Sequence, residues 1–265
     1  MNDGNRTERL DLFLPSTAAP ASGYPVILAI HCGGWHRYSK EQFSPAVEPL
    51  TSEGFAVVAV NYQLATSRAP SWPMALTDLW QSVGWINRQS ANYRLNPQQI
   101  TALGTSAGGN LAMLLATGAG TPFASTSSAA SPQNLPKIRA AVSFFGPTEL
   151  ESCSAESRRG AGIAITRFLG GSVAELPDLY QAASPLGHVS KTTAPILLIH
   201  GTADDLIPVS QSEKMADALS KAGVMNQLIE VPGGIHAQIG YNISYMNKSY
   251  AGVVVSFIKK ALKLN

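Results

Sequence analysis

Charge is scarce in this chain of 265 residues: Asp, Glu, Lys and Arg make up 14% of it, with 19 basic residues against 17 acidic ones and a net charge of +2. No run of like charge stands out. The basic footprint that nucleic-acid binding requires is missing, and no such partner is expected. Cysteine is rarer still. Cys32 and Cys153 are the only two, which excludes a disulfide framework and leaves room for one bridge at most. No apolar run is long enough to span a bilayer. The first twenty residues hold acids and prolines but no extended apolar stretch. No signal peptide is predicted, so a cytoplasmic location is expected, or a secreted one if a leader has been removed. No G-x-x-x-x-G-K-[ST] phosphate loop occurs. N-x-S/T sequons begin at Asn5, Asn242 and Asn247, but such sequons arise often by chance and carry no functional weight.

Apolar residues are plentiful at 45%, enough for a sizeable core. The length suits one large α/β domain spanning 1–265, and no shift in composition marks a second. Short β-rich runs alternate with longer helical patterns. Strands are predicted over 25–32 (PVILAIHC), 55–62 (FAVVAVNY), 100–104, 139–146 (RAAVSFFG), 195–201 (PILLIHG) and 227–231, with an edge strand around 10–14. The runs are continuous rather than alternating, as in strands covered on both faces. Helices are predicted over 74–90, 106–117, 210–222 and 252–264. This alternation predicts a mainly parallel central sheet flanked by helices on both faces. Residues 121–136, rich in Ser, Ala, Thr and Pro, read as a surface loop. Residues 150–193 hold short helical pieces between two strands, the best candidate for a small lid or pocket wall.

Gly104-Thr105-Ser106-Ala107-Gly108 contains G-x-S-x-G between a predicted strand and a predicted helix, the context the motif needs. A nucleophile on so tight a turn demands glycines two residues to either side, where a side chain would clash. The helix N-terminus then places its positive dipole end beside the reacting oxygen. The competing reading is a glycine-rich turn with a helix-capping serine. His31-Cys32-Gly33-Gly34-Trp35 follows the strand at 25–32. Acyl transfer needs N–H donors aimed at a developing oxyanion. Gly33 and Gly34 are candidates, with the amide of Ala107 completing the hole; an ordinary tight strand exit is the alternative.

Of five histidines, His31 and His200 end predicted strands, the first as a buttress for the glycine loop and the second as a core histidine. His36 and His188 lie in loops with no acid in the expected order. His236 follows the last predicted strand and comes last in the order Ser, acid, His used by α/β-hydrolases. The loop after His200 offers Asp204 and Asp205 as the acid that orients the imidazole, and the pattern does not separate them, since Asp205 equally suits a helix cap.

HCGGW, AVNYQLA, GTSAGGNLA, FGPTEL, HGTADDLIPVSQS and PGGIH together resemble, in order, the motifs of bacterial carboxylesterases related to hormone-sensitive lipase, most of all the subgroup placed with feruloyl and acetylxylan esterases. The resemblance runs from about Leu10 to the C-terminus. It implies the α/β-hydrolase fold, Ser106 as nucleophile, Asp204 as the acid, His236 as the base, and Gly33 and Gly34 in the oxyanion hole. Cys32 stands where the family has the first glycine of HGGGW, and Glu149 of FGPTEL stands where an aspartate is usual. About thirty residues precede His31, so the large N-terminal cap of some members is expected to be absent. The expected activity is hydrolysis of short-chain or aryl- or sugar-linked carboxylic esters through an acyl-serine, needing no metal or organic cofactor; the expected partner is a small-molecule ester substrate, and the sequence does not indicate an oligomeric state. Arylformamidase or peptidase chemistry on the same machinery is one alternative, and a non-catalytic ligand-binding protein is another. Trp35 and Ile207 flank the catalytic loops as candidate pocket-lining residues, with plain core packing as the competing reading.

Overall fold

The computed structural model describes residues 10–119, 135–237 and 243–264. Most of the loop expected over 121–136, and the sequons at Asn5 and Asn242, lie outside the described residues. Seven strands form one sheet: β1 (Leu10–Phe13), β2 (Tyr24–Ile30), β3 (Ala56–Val60), β4 (Leu95–Thr105), β5 (Ile138–Phe144), β6 (Ile196–Gly201) and β7 (Asn226–Val231). Their order is β1-β3-β2-β4-β5-β6-β7. All neighbours run parallel except β1, which pairs antiparallel with β3 at the edge. A small hairpin, β8 (Ser244–Tyr245) and β9 (Lys248–Ser249), was not foreseen.

The continuous apolar runs arise because each face of the sheet meets its own core. On β2, Val26, Leu28 and Ile30 enter one cluster while Ile27 and Ala29 enter the other, the two-residue period of a strand. The first cluster is completed by α2 (Met74–Arg88), α4 (Ala107–Thr117) and α8 (Ser210–Lys221). The second is completed by α1 (Ser44–Thr51) and α9 (Ala251–Leu262), where Val254, Ile258 and Leu262 recur at helical spacing.

Two elements differ from expectation. The third predicted strand begins at Leu95 rather than at residue 100, and its register with β2 shifts between Pro25 and Val26; Pro97 and two glutamines hide that extension from a hydrophobicity pattern. Residues 44–51 form a helix that contains two prolines; Pro45 lies in the first turn, where no amide donor is needed, whereas Pro49 lies inside the helix. A single helical turn, α3 (Ser90–Tyr93), follows α2. Residues 150–193 hold three short α-helices, α5 (Leu150–Glu156), α6 (Ala161–Leu169) and α7 (Pro177–Ala182), and a 3-10 turn at Pro185–His188. Cys32 and Cys153 are both buried and unbridged.

Candidate active site

β4 runs through the middle of the sheet and ends in the serine turn. Ser106 has φ 53° and ψ −118°, a backbone conformation costly for any residue with a side chain. The turn is tight enough that a Cβ on Gly104 would stand 2.1 Å from the carbonyl oxygen of Gly108, and one on Gly108 would stand 2.1 Å from that of Ile30. The amide of Ser106 donates to Phe144 O at 2.9 Å, fastening the turn to β5.

Two further loops converge on this point from the same end of the sheet. The loop after β6 carries Asp204 and the loop after β7 carries His236. They are locked together: Ala203 N donates to Gly234 O (2.9 Å), Thr202 N to Val231 O (3.0 Å) and Gly233 N to Thr202 Oγ1 (2.9 Å). Gly201 permits this approach, because a Cβ there would meet Gly234 O at 2.2 Å.

His236 Nε2 lies 3.0 Å from Ser106 Oγ and its Nδ1 lies 2.7 Å from Asp204 Oδ2. The carboxylate fixes the tautomer: Nδ1 carries the proton and donates it, leaving Nε2 to accept from the serine hydroxyl. The edge of Phe145 packs against the imidazole, with ring centroids 4.9 Å apart. Asp204 Oδ1 accepts from the amides of Leu206 (3.0 Å) and Ile207 (2.8 Å), while His200 Nε2 stands 3.5 Å from Oδ2. Burial works to raise the carboxyl pKa, but the bonds from His200 and His236 and the Ile207 amide outweigh it and hold it down at about 2. Asp205 turns elsewhere: its side chain is half-exposed and pairs with Arg159 at 3.4 Å. The two acids that the sequence pattern left level are thus placed apart.

His31 and His200 are both fully buried at strand ends. Burial lowers His31 to about 4, so it is neutral at ordinary pH. It stacks on Tyr62 at 4.2 Å and its Nδ1 donates to Cys32 O at 2.7 Å. Tyr62, from the AVNYQLA stretch, donates to His31 O at 3.1 Å. These contacts stiffen the loop of Gly33 and Gly34. Gly33 takes φ 111° and Gly34 φ 58°, and a Cβ on Gly33 would meet Arg37 O at 2.0 Å, so a side chain is excluded there. Cys32 does not have a positive φ, which is why a side chain is accepted where the family motif has glycine. Among the described residues, no acceptor is bonded to the amides of Gly33, Gly34 or Ala107.

These loops border a cleft of about 510 Å³ that contains Ser106, His236, Gly33 and Gly34. Trp35 and Ile207 line it while also being almost fully buried. Trp35 stacks flat on Phe168 of α6, centroids 4.5 Å apart. α6 itself forms a wall of the cleft through Ala161, Ile163, Ala164 and Ile165. Sequence reasoning missed Phe145, Tyr62 and Asn110, although each sits inside one of the family motifs. Asn110 Nδ2 donates to Pro147 O and Ala183 O, both at 3.1 Å, tying the helix after the serine to the segment that leads into the wall. Glu149 accepts from Ser152 Oγ and Lys214 Nζ in a partly exposed network away from the cleft.

The BD-FAE family model matches residues 10–219. The chain is 28% identical to Esterase LipQ of Mycobacterium tuberculosis (strain ATCC 25618 / H37Rv) over 88% of this chain and 55% of that protein. It is 29% identical to the probable carboxylic ester hydrolase LipM of the same organism, over 80% of this chain and 47% of that one. The chain therefore spans about half the length of these curated relatives. Among solved structures, a truncated carbohydrate esterase from gut microbiota superposes with a TM-score of 0.80 at 24% identity, covering 96% of this chain and 90% of that one. This likeness establishes the α/β-hydrolase fold. No helix among the described residues is long and apolar enough to cross a membrane.

Proposed function

The chain belongs to the BD-FAE family, among the esterases related to hormone-sensitive lipase, and from that premise we propose that it hydrolyses carboxylic esters through an acyl-enzyme on Ser106. The observation that carries this reading is the continuous relay from Ser106 Oγ through His236 to Asp204, at 3.0 and 2.7 Å. In the first half-reaction Ser106 Oγ bonds to the ester carbonyl carbon as His236 Nε2 takes the hydroxyl proton. The carbonyl oxygen becomes an oxyanion, received by the amides of Gly33, Gly34 and Ala107. Collapse breaks the bond to the alcohol oxygen, which leaves with the proton from Nε2. Water then gives a proton to His236 Nε2 as its oxygen attacks the acyl carbon; collapse breaks the bond to Ser106 Oγ, which takes that proton back, and the acid is released. Throughout, Asp204 remains ionised, since its pKa is held at about 2, and so stabilises the imidazolium that forms at each step.

The substrates proposed are short-chain esters, or esters of aryl or sugar groups that rest partly outside the cleft. The walls of Trp35, Ile163 and Ile165 support an apolar or aromatic moiety beside the reacting carbonyl. Trapping with an organophosphonate tests the reading. One adduct, on the peptide that holds Ser106, should appear together with complete loss of ester turnover, and Ser106→Ala should give neither adduct nor turnover. Near-full activity in purified Ser106→Ala would refute the assignment.

A further inference from the structure

Among the described residues, the cleft around Ser106 is lined by three arginines and by no aspartate or glutamate. Arg37 comes from the glycine loop, Arg159 from the turn before α6 and Arg167 from α6 itself, and all three are exposed. Arg159 shares its charge with Asp205. Arg37 lies over the ring of Tyr38 at 5.5 Å, and among the described residues neither Arg37 nor Arg167 has a carboxylate partner. Several cations away from the cleft are paired: Lys40 with Asp11, Lys214 with Glu149 and Glu156, Lys221 with Asp217 and Lys259 with Glu53. Arg37 and Arg167 thus both line the cleft, each exposed and, among the described residues, without a carboxylate partner.

We propose that this cleft selects esters bearing a second, ionised carboxylate remote from the scissile bond, which Arg37 and Arg167 receive. The inference rests on the ester-hydrolase reading and narrows its substrate class. Guanidinium groups are suited to such an anion because they are planar, permanently charged, and match a carboxylate with two parallel N–H donors. Exposed guanidinium groups at the rim of a low-dielectric cleft also draw oppositely charged substrate toward it. The apolar walls hold the body of the substrate near Ser106 while its anionic end reaches the rim.

The test compares kcat/KM within matched pairs on the full chain. p-Nitrophenyl hexanoate against mono-p-nitrophenyl adipate places the anion on the acyl side. Phenyl acetate against para-acetoxybenzoate places it on the alcohol side. At low salt one anionic ester should exceed its neutral partner by about tenfold, and salt at about 0.5 M should erase most of that preference. The double variant Arg37→Gln/Arg167→Gln should bring the ratio close to one, and Arg37→Lys/Arg167→Lys should retain part of it. Equal or faster turnover of the neutral ester in both pairs overturns the proposal, as does a ratio that survives the glutamine variant. Should that variant fail to fold, the ratio in the unaltered protein and its salt dependence decide alone. Turnover of none of the four esters overturns the hydrolase reading itself, a result distinct from loss of selectivity.

Discussion

Gln42 Oε1 stands 3.2 Å from both the backbone nitrogen and the sulfur of Cys32. One side chain on the 3-10 turn Lys40–Phe43 thus tethers the loop that presents Gly33 and Gly34. Gln42 does not line the cleft, so it acts by positioning. In Gln42→Ala the loop amides should lose alignment with the oxyanion, which forms only as the reaction proceeds. We expect kcat to fall roughly tenfold with little change in KM. Cys32→Gly removes only the sulfur contact and should cost less. Steady-state kinetics of the two variants checks the order; a KM effect with kcat intact would assign Gln42 to substrate binding instead.

The two neighbouring acids should behave very differently when neutralised. Asp204→Asn leaves an amide beside His236 that favours the wrong tautomer, and kcat should drop by orders of magnitude with substrate binding largely kept. Asp205→Asn removes a half-exposed partner of Arg159 and should stay within a few-fold of the parent. Reversal of this order in kcat measurements would move the acid role to Asp205.

Asp204 also sets a limit in acid. Its folded pKa of about 2 lies below the ordinary 3.8, so ionised Asp204 contributes stability that is fully present above about pH 4 and lost as pH falls through 2. The contribution is on the order of 2 kcal/mol. Urea midpoints measured from pH 6 to pH 2 should show the stability gap between the parent and Asp204→Asn shrinking below pH 4. A gap constant across that range would mean that the carboxylate is not held down by its four donors.

Acyl-chain length reports on the α6 wall. Each newly buried CH₂ is worth about 0.8 kcal/mol, so kcat/KM should climb with chain length only while the chain still finds wall. Ile163, at the rim, is 75% exposed, and carbons beyond it gain nothing. With p-nitrophenyl esters from acetate to palmitate, a maximum at the short end, by about butyrate, is expected. A maximum at long chains would require 150–193 to close over the cleft as a lid.

Much of this architecture was legible because two-faced burial writes continuous apolar runs, and because the serine turn admits almost no other sequence. Both signals are local. The placing of Asp204 rather than Asp205 beside His236 is not a local feature: it depends on Gly201 and Gly234 meeting across two loops, and in the sequence only the family resemblance points to Asp204. Tyr62, Gln42 and Phe145 were missed for a similar reason. Each acts through a contact with a residue distant in sequence, as when Tyr62 reaches His31 from 31 positions away. The α6 wall was anticipated as a segment but not by residue, since its apolar positions serve both the core and the cleft. The proline-containing helix at Ser44–Thr51 and the polar start of β4 were hidden because tertiary pairing overrode local propensity.

The nucleophile and its base hang from parts of the sheet with unequal staying power. Ser106 is bolted to β5 at the centre, whereas His236 follows β7, the edge strand of the seven-stranded sheet, which among the described residues pairs only with β6 and is just partly buried. Rim strands of this kind open at lower free energy than the interior. Gentle heating should therefore silence the protein while its circular dichroism and core fluorescence are still those of the native state, and cooling should restore turnover at once, because only the seam beneath the histidine had come undone.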